Sequence, residues 1–396
     1  MNILFINNIP FNPVLGGIER VTDILAKELI KKGYNIYYLC GNTNDRKLLE
    51  YNFPTKMNLL PVAGLFSSNI NKSFYEKFIR ENKIDIIINQ KGLESFLNNS
   101  LEINDVKKIT ALHSKPKAYL NIYSKIISKP KTATDFLKTF IKICFYPYFY
   151  LRNVNKGLSH LSKQYNFITN KSDAIVLLSE NYKEEFLSCD VKNINIPIVG
   201  IPNPNTYKCK NIKIENKEKI ILYVGRLNTF AKKPQRLLKV WKKLYFKNQD
   251  WKVVIVGDGD AMLELQEYVN KHKLPRVYFE GKQSNVSTYY EKASIICLTS
   301  DFEGWGMSLT EGMCYGCIPI TFNNYAAASE IVDRDCGCLI EPFDLSSYAL
   351  QLNRIMSNDS IRFEMSKNAL RKVKHFDSEI IVNQWESLFI RLLNNK

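Results

Sequence analysis

No apolar run in this chain reaches the ~18–20 residues that a membrane-spanning helix needs, which excludes a helical membrane protein. The chain starts directly on a strand-like stretch, Asn2 to Asn7, with no charged segment, apolar core and cleavage site before it. That pattern predicts a cytosolic protein without an export signal. Cysteine occurs nine times, an odd count, which suits a reducing compartment and not a disulfide framework. Cys336 and Cys338 flank a single glycine, too close for the usual zinc spacing, and read as turn residues. Histidine is rarer still, with four in 396 residues. Zinc fingers, recognition-helix patterns and repeats with a period of roughly 20–50 residues are absent, so nucleic acid is not an expected partner.

Acidic residues are also in deficit. Asp and Glu total 39 against 55 Lys and Arg, a formal net charge of +16. Such an excess needs an anionic partner or surface. With nucleic acid set aside, the candidates are an anionic lipid surface and a diphosphate-bearing substrate. A composition that is 45% hydrophobic is globular, and this length suits two domains that each bury a core.

Apolar periodicity alternates between strand and helix along the first half. After the Asn2–Asn7 strand, Ile18, Val21, Ile24, Leu25 and Leu29 recur at helical spacing from Gly17 to Lys32. Gly33 closes that helix as a C′ glycine, and Tyr34 to Leu39 reads as the next strand. Residues 84–89, 108–112 and 174–179 are further strands. Ile-Pro-Asn-Pro at 201–204 suits neither a helix nor a central strand and is followed by a lysine-rich stretch, so a boundary belongs near 203–218. Strands then resume at Ile220 and at 252–256, 277–280, 295–298 and 318–322. This is the pattern of α/β architecture with two parallel, doubly wound sheets. A terminal helix, Ser378 to Leu393, carries Ile381, Trp385, Leu388, Phe389 and Leu392 on one face.

The most informative stretch is S-D-F-E-G-W-G-M-S-L-T-E-G-M-C-Y-G-C-I-P-I, framed by Glu303 and Glu311. A buried strand, 294–299, breaks at 301–306 and opens a helix beyond Gly306. Backbone N–H groups freed at a helix start, beside a carboxylate, suit phosphate and sugar ligands. Glu311 lies about two turns beyond Glu303, on nearly the same face. One carboxylate can then accept hydroxyls of a sugar and the other those of a ribose. The bland alternative is a helix with two solvated acids.

This E-x7-E arrangement, with E-G-W-G in front and G-C-I-P-I behind, resembles the retaining glycosyltransferases of family 4, which have the GT-B fold of two Rossmann-like domains facing a central cleft. The resemblance covers both halves, and its most specific motifs lie between residues 222 and 322. It implies an acceptor-side domain over 1–205, a nucleotide-sugar-binding domain over 206–376, and a helix over 377–396 that crosses back to the first domain. The implied activity moves a sugar from a nucleotide diphosphate sugar, with retention, to a glycan or lipid-linked acceptor in surface polysaccharide assembly. No cofactor beyond the donor substrate is implied. A same-face mechanism, in which the leaving phosphate helps to deprotonate the acceptor, needs mainly positioning and electrostatics.

The resemblance also assigns residues. Gly16 and Gly17, in L-G-G-I-E-R, match a glycine loop near the donor diphosphate or the acceptor. Glu19 and Arg20 read as a structural pair on the first helical turn. Arg226 and Lys232 follow the first strand of the second half and would neutralise the leaving diphosphate. The family places lysine five positions after arginine, where Ala231 stands here. The matching P-Q-R-L-L that follows favours Lys232 over Lys233 in a loop one residue longer. Glu303 would hold the donor sugar, Glu311 the ribose, and the backbone of Gly304, Trp305 and Gly306 the sugar or phosphate. His113, in H-S-K-P after a strand, would lie in the cleft near the donor sugar. Asp258-Gly259-Asp260 has the spacing of a metal motif but matches the family's glycine–aspartate loop, so no metal is expected.

Residues 115–163 have a separate character, with ten basic residues, one acid (Asp135) and interleaved aromatics. That mixture suits the interface of an anionic bilayer. Lys125, Lys129, Lys131 and Lys138 are the candidate membrane-facing residues of a protein peripheral to the inner face of the cell membrane. The plain alternative is a solvated excursion whose aromatics pack on the domain. Two other functions fit the same motifs. A nucleotide-sugar epimerase on this fold would act without an acceptor, and an inactive nucleotide-sugar-binding or membrane scaffold would not turn over.

Overall fold

The structure, a computed structural model, describes residues 1–14, 16–43, 51, 53–62, 68–93, 106–118, 120, 146–192, 194–209 and 212–394. The chain divides into two compact units. One comprises Met1–Pro10, Tyr34–Gly200 and Phe389–Lys396, and the other Phe11–Gly33 and Ile201–Leu388.

The first unit is built on a parallel sheet of β1 (Asn2–Asn7), β2 (Asn35–Cys40), β3 (Met57–Leu59), β4 (Ile86–Asn89), β5 (Lys107–Leu112), β6 (Ala174–Leu177) and β7 (Ile198–Gly200). Their spatial order is β3-β2-β1-β4-β5-β6-β7. The central strands are almost continuously apolar, as strands covered on both faces must be, and Ile3 to Ile6 and Ile86 to Ile88 are fully buried. Chain direction across the sheet reverses between β1 and β4, which pair in the register Ile6 with Asn89. A doubly wound sheet leaves a crevice at the carboxyl ends of the two strands flanking such a reversal, where ligands bind.

The second unit holds β8 (Glu218–Val224), β9 (Lys252–Val256), β10 (Val277–Gly281), β11 (Ala293–Leu298), β12 (Ile318–Phe322) and β13 (Cys338–Ile340). The order is β10-β9-β8-β11-β12-β13, with every pairing parallel. Here the reversal falls between β8 and β11. The Gln235–Leu244 helix lays Leu237, Leu238 and Trp241 into the core that also holds Ile221, Val253 and Ile255. Gly33 ends the Gly17–Lys31 helix with φ +87°, and the terminal helix spans Ser378–Asn394 with its five expected apolar residues buried.

Three strands escape the sequence pattern: β3, β7 and β13 have three residues each, too few to display a period. Cys338 is therefore not a turn residue, since it opens β13. Cys336 does lie in the preceding turn, with its sulfur 3.3 Å from the Asp333 N–H. In the basic segment, Lys125, Lys129, Lys131 and Lys138 lie outside the described residues. The Tyr146–Lys171 helix that follows exposes Tyr148 and Leu151. Among the described residues, no helix is long and apolar enough to cross a membrane.

Candidate active site

Two turns leave the carboxyl ends of β8 and β11 and are fastened to each other. In the first, the Asn228 carboxamide oxygen accepts the Ala231 and Lys232 N–H groups at 2.9 and 3.0 Å. The Lys233 N–H reaches the Asn228 carbonyl at 3.0 Å. In the second, the Asp301 N–H donates to the Ala231 carbonyl at 2.7 Å and the Thr299 hydroxyl to the Lys233 carbonyl at 3.0 Å. Arg236 clamps the same place. Its guanidinium lies 2.6 Å from the Asp301 carboxylate, donates to the Thr299 carbonyl at 3.0 Å, and stands 4.4 Å from the Phe343 ring centre.

That fastening brings Lys232 onto Glu303. The Lys232 ammonium donates to both Glu303 carboxylate oxygens, at 2.7 and 2.8 Å. The Ser300 hydroxyl adds a bond of 2.5 Å to Oε1, and Glu303 is buried. Lys233 goes elsewhere, 3.5 Å from Asp301. The two adjacent lysines thus have different carboxylate partners, and only Lys232 reaches the glutamate of the motif.

Beyond Glu303 the chain passes through Gly304, Trp305 and Gly306 into the Met307–Met313 helix. Gly306 has φ +93°, and a Cβ there would come within 2.9 Å of the Tyr325 hydroxyl. Burial raises the Tyr325 pKa, with Glu303 adding to it. The Trp305 ring is buried edge-on against Phe376 at 5.0 Å, so what this residue can offer a ligand is its backbone.

Glu311 does not share its partners with Glu303. Arg20 Nη1 lies 2.8 Å and the Thr206 hydroxyl 2.7 Å from Oε1, while the Tyr290 hydroxyl donates to Oε2 at 2.8 Å. The expected pairing of Glu19 with Arg20 is therefore corrected: Arg20 projects to Glu311, because the start of its helix lies beside the 307–313 helix. A Cβ on Gly17 would stand 3.0 Å from the Met307 sulfur, and one on Gly16 would stand 2.9 Å from a Glu19 carboxylate oxygen. Burial, then the Glu311 charge, raises the Tyr290 pKa well above its ordinary value and that of Tyr207 to about 12. Both phenols stay protonated and can donate.

Arg226 stands at the exit of β8 with its side chain exposed, and its guanidinium makes no ion pair among the described residues. The next residue, Leu227, ties the loop to the Asp258 carbonyl at 2.9 Å. Asp258 and Asp260 are exposed. No group of three or more potential metal ligands occurs among the described residues.

His113 belongs to the first unit and follows β5. Its Nε2 is 2.6 Å from the Gln90 carboxamide oxygen. Desolvation, with Lys91 adding to it, lowers the imidazole pKa to about 4, so the ring is neutral at physiological pH.

Sequence reasoning missed Ser300, Thr206, Tyr290 and Arg236. Ser300 sits three positions before Glu303, the one sequence signal that was within reach. The others arrive from separate elements and leave no mark in local spacing.

Residues 207–372 match the family model of glycosyl transferases group 1. The chain is 28% identical over 222 residues to the amylovoran biosynthesis glycosyltransferase AmsD of Erwinia amylovora, covering 55% of this chain and 62% of that one. The match to AmsD thus spans less than two thirds of its length. An uncharacterized glycosyltransferase of Haemophilus influenzae is 27% identical over 388 residues, 94% of this chain and 96% of that one. Among solved structures, Anabaena Alr3699/HepE in complex with UDP-glucose superposes with a TM-score of 0.71, 16% identity and full coverage of both chains. At that identity the likeness shows the fold alone, which is GT-B.

Proposed function

We propose that this chain, which matches the family model of glycosyl transferases group 1 over residues 207–372 and has the GT-B fold, is a glycosyltransferase that transfers a sugar from a nucleotide diphosphate sugar to a glycan or lipid-linked acceptor, with retention at the anomeric carbon, as a family 4 enzyme does. The observation that carries this reading is the Lys232–Glu303 pair at the strand reversal of the second unit. A donor brings both an anion and hydroxyls. Its diphosphate takes the ammonium, and its sugar hydroxyls take the carboxylate that the lysine releases. Each group is held ready by a bond of the kind the substrate supplies.

Arg226 adds the second cation for the departing diphosphate, and a charge-assisted contact of this type is strongest on a phosphate oxygen. Backbone groups of Gly304 to Gly306 face the sugar or phosphate. Glu311 has about four acceptor positions as a carboxylate, and three donors already occupy it. Ribose hydroxyls therefore take the remaining position or displace Thr206 or Arg20. With Lys232 and Arg226 supplying positive charge, the reaction needs no metal ion. A same-face path, in which the leaving phosphate oxygen receives the acceptor proton, gives retention and needs mainly positioning and electrostatics.

The named role of AmsD in amylovoran biosynthesis supports polysaccharide assembly as the setting. The basic segment 115–163 would then hold the enzyme on the anionic inner face of the membrane, where lipid-linked acceptors reside.

A panel of nucleotide sugars, screened for thermal stabilisation and then for acceptor-dependent turnover, tests the proposal. A ligand at 100-fold its Kd raises stability by about 2.7 kcal/mol. Product that keeps the donor's anomeric configuration supports the reading. Release of an altered sugar without acceptor indicates an epimerase, and stabilisation without turnover indicates a binding protein.

A further inference from the structure

Six non-glycine residues of the described chain have a left-handed backbone, and two of them, Lys233 (φ +48°) and Phe343 (φ +66°), lie at the fastened turns beside Glu303. Phe343 is the aromatic one of the six. It stands third in the turn Glu341-Pro342-Phe343-Asp344, which the Asp344 N–H closes onto the Glu341 carbonyl at 3.1 Å. With proline second, such a turn takes glycine or asparagine third, because a larger side chain crowds the left-handed backbone. Burial offsets little of that cost, since Phe343 is 46% exposed. A bulky ring kept where the local rule asks for glycine points to a demand from its surroundings.

What the ring meets is Arg236. The guanidinium carbon lies 4.4 Å from the Phe343 ring centre and 5.7 Å from that of Phe322, which is fully buried at the end of β12. The two rings are 5.7 Å apart and tilted by 63°, and both shield the guanidinium from water. Attraction between charged groups strengthens where water is excluded. The rings thus reinforce the Arg236 contacts with the Asp301 carboxylate at 2.6 Å and the Thr299 carbonyl at 3.0 Å. Asp301 in turn donates its N–H at 2.7 Å to the carbonyl of Ala231, the residue before Lys232, and stands two positions before Glu303. Asn324 adds bonds of 3.0 and 2.7 Å to the Ser300 and Asp301 carbonyls. A chain of contacts therefore runs from Phe343 through Arg236 and Asp301 to both members of the Lys232–Glu303 pair.

We propose that Phe343 is a positioning residue, whose ring, held in the place of a turn glycine, presses Arg236 onto Asp301 and so sets the geometry of Lys232 and Glu303. This rests on the glycosyltransferase reading above, in which that pair receives the donor.

The test uses the full-length protein with UDP-glucose, UDP-N-acetylglucosamine, UDP-galactose and GDP-mannose as donor probes. Phe343→Gly removes the ring while suiting the turn, and should fold with a thermal midpoint close to that of wild type. Its kcat should fall about tenfold, as a small misplacement of reacting groups produces, with the acceptor KM within about twofold. Phe343→Asn, also at home in the turn, should behave alike if glycine loosens the loop. Phe343→Tyr and Phe343→Trp keep a ring over the guanidinium and should restore most of kcat. Arg236→Lys lacks the planar group for the ring to cover, so Phe343→Gly should cost nothing further in that background. Solvent exchange of the Arg236 guanidinium protons, followed in nitrogen-15 spectra, should quicken in Phe343→Gly with or without substrate.

A Phe343→Gly enzyme with wild-type kcat overturns the proposal. A raised acceptor KM at unchanged kcat does so too, by making the ring a contact for the acceptor. A full further loss of kcat in the Arg236→Lys background would show that the ring does not act through Arg236. Unchanged exchange at Arg236 overturns the proposal even if wild type is inert with every donor, an outcome that speaks against the transferase reading itself.

Discussion

The Lys232 ammonium bonds both oxygens of Glu303, at 2.7 and 2.8 Å, across 71 residues of chain. A pair this close on the rim of a site has a cost for any ligand. Under the proposed function, the donor replaces each partner with an equivalent group, and a molecule with phosphate alone draws Lys232 away and leaves Glu303 with the Ser300 hydroxyl but no cation. On that reading, sugar recognition and diphosphate recognition are coupled.

Removal of either charge should therefore be felt in turnover. Glu303→Ala and Glu303→Gln should reduce kcat at least a hundredfold while the fold persists. Lys232→Ala should weaken nucleoside diphosphate binding by ~1.5–3 kcal/mol. Lys233→Ala, which loses only the Asp301 contact, should weaken it far less. Steady-state kinetics and calorimetric titration decide. Near wild-type transfer by Glu303→Ala would displace the site, and a more sensitive Lys233 would reverse the choice of lysine.

Gly306→Ala should destabilise the protein by about 1–3 kcal/mol, because a Cβ meets both an unfavourable backbone region and a neighbour. Its φ is +93°, and the Tyr325 hydroxyl would lie 2.9 Å from the new carbon. Adding Tyr325→Phe should restore only part of the loss, since it relieves the contact and not the backbone. Urea midpoints of the single and double variants measure the two contributions. A Gly306→Ala protein as stable as wild type would mean the turn has another conformation.

His113 imposes a pH dependence on stability. Burial, with Lys91 adding to it, holds its pKa at about 4 against an unfolded value of 6.5. Between those values the unfolded chain binds the proton and the folded one does not. Stability is thus fully present above about pH 6.5 and falls as pH drops towards 4, by at most ~3 kcal/mol. Below 4 both states are protonated and the slope ends. His113→Asn should flatten this part of the profile of thermal midpoint against pH. Parallel profiles for the two proteins would remove His113 as the cause.

The basic segment predicts salt-sensitive membrane binding. The protein should cosediment with vesicles containing anionic lipid and release as salt shortens the reach of exposed charge. Charge reversal at Lys125, Lys129, Lys131 and Lys138 should reduce vesicle binding and activity on a lipid-linked acceptor, and spare activity on a soluble analogue. Equal binding to neutral and anionic vesicles, or indifference to the reversal, returns the segment to packing.

Proposed metal independence is checked with a chelator. EDTA should leave turnover within about twofold, because fixed cations act where a metal would stabilise the leaving phosphate. A loss that magnesium restores would show that Lys232 and Arg226 are insufficient.

By itself, the sequence determined the longer elements and the order in which they alternate. Uninterrupted apolar runs such as Ile86 to Ile88 and Val253 to Val256 specify strands covered on both faces, and Gly33 and Pro202 mark ends through their own backbone limits. It also singled out Glu303 and Glu311, since spacing within one turn or one helix is a local property, while Lys232 was assigned through the family resemblance. Tertiary structure decided who meets whom. Arg20 pairs with Glu311 and not with its neighbour Glu19, Thr206 and Tyr290 complete the same carboxylate, and Gln90 meets His113 from the ends of two adjacent strands. Strands as short as β3 and β13 form only because a longer neighbour offers its edge. Local patterning records which face of an element is apolar, but pairings between elements distant in sequence depend on strand order and register, which no local period encodes.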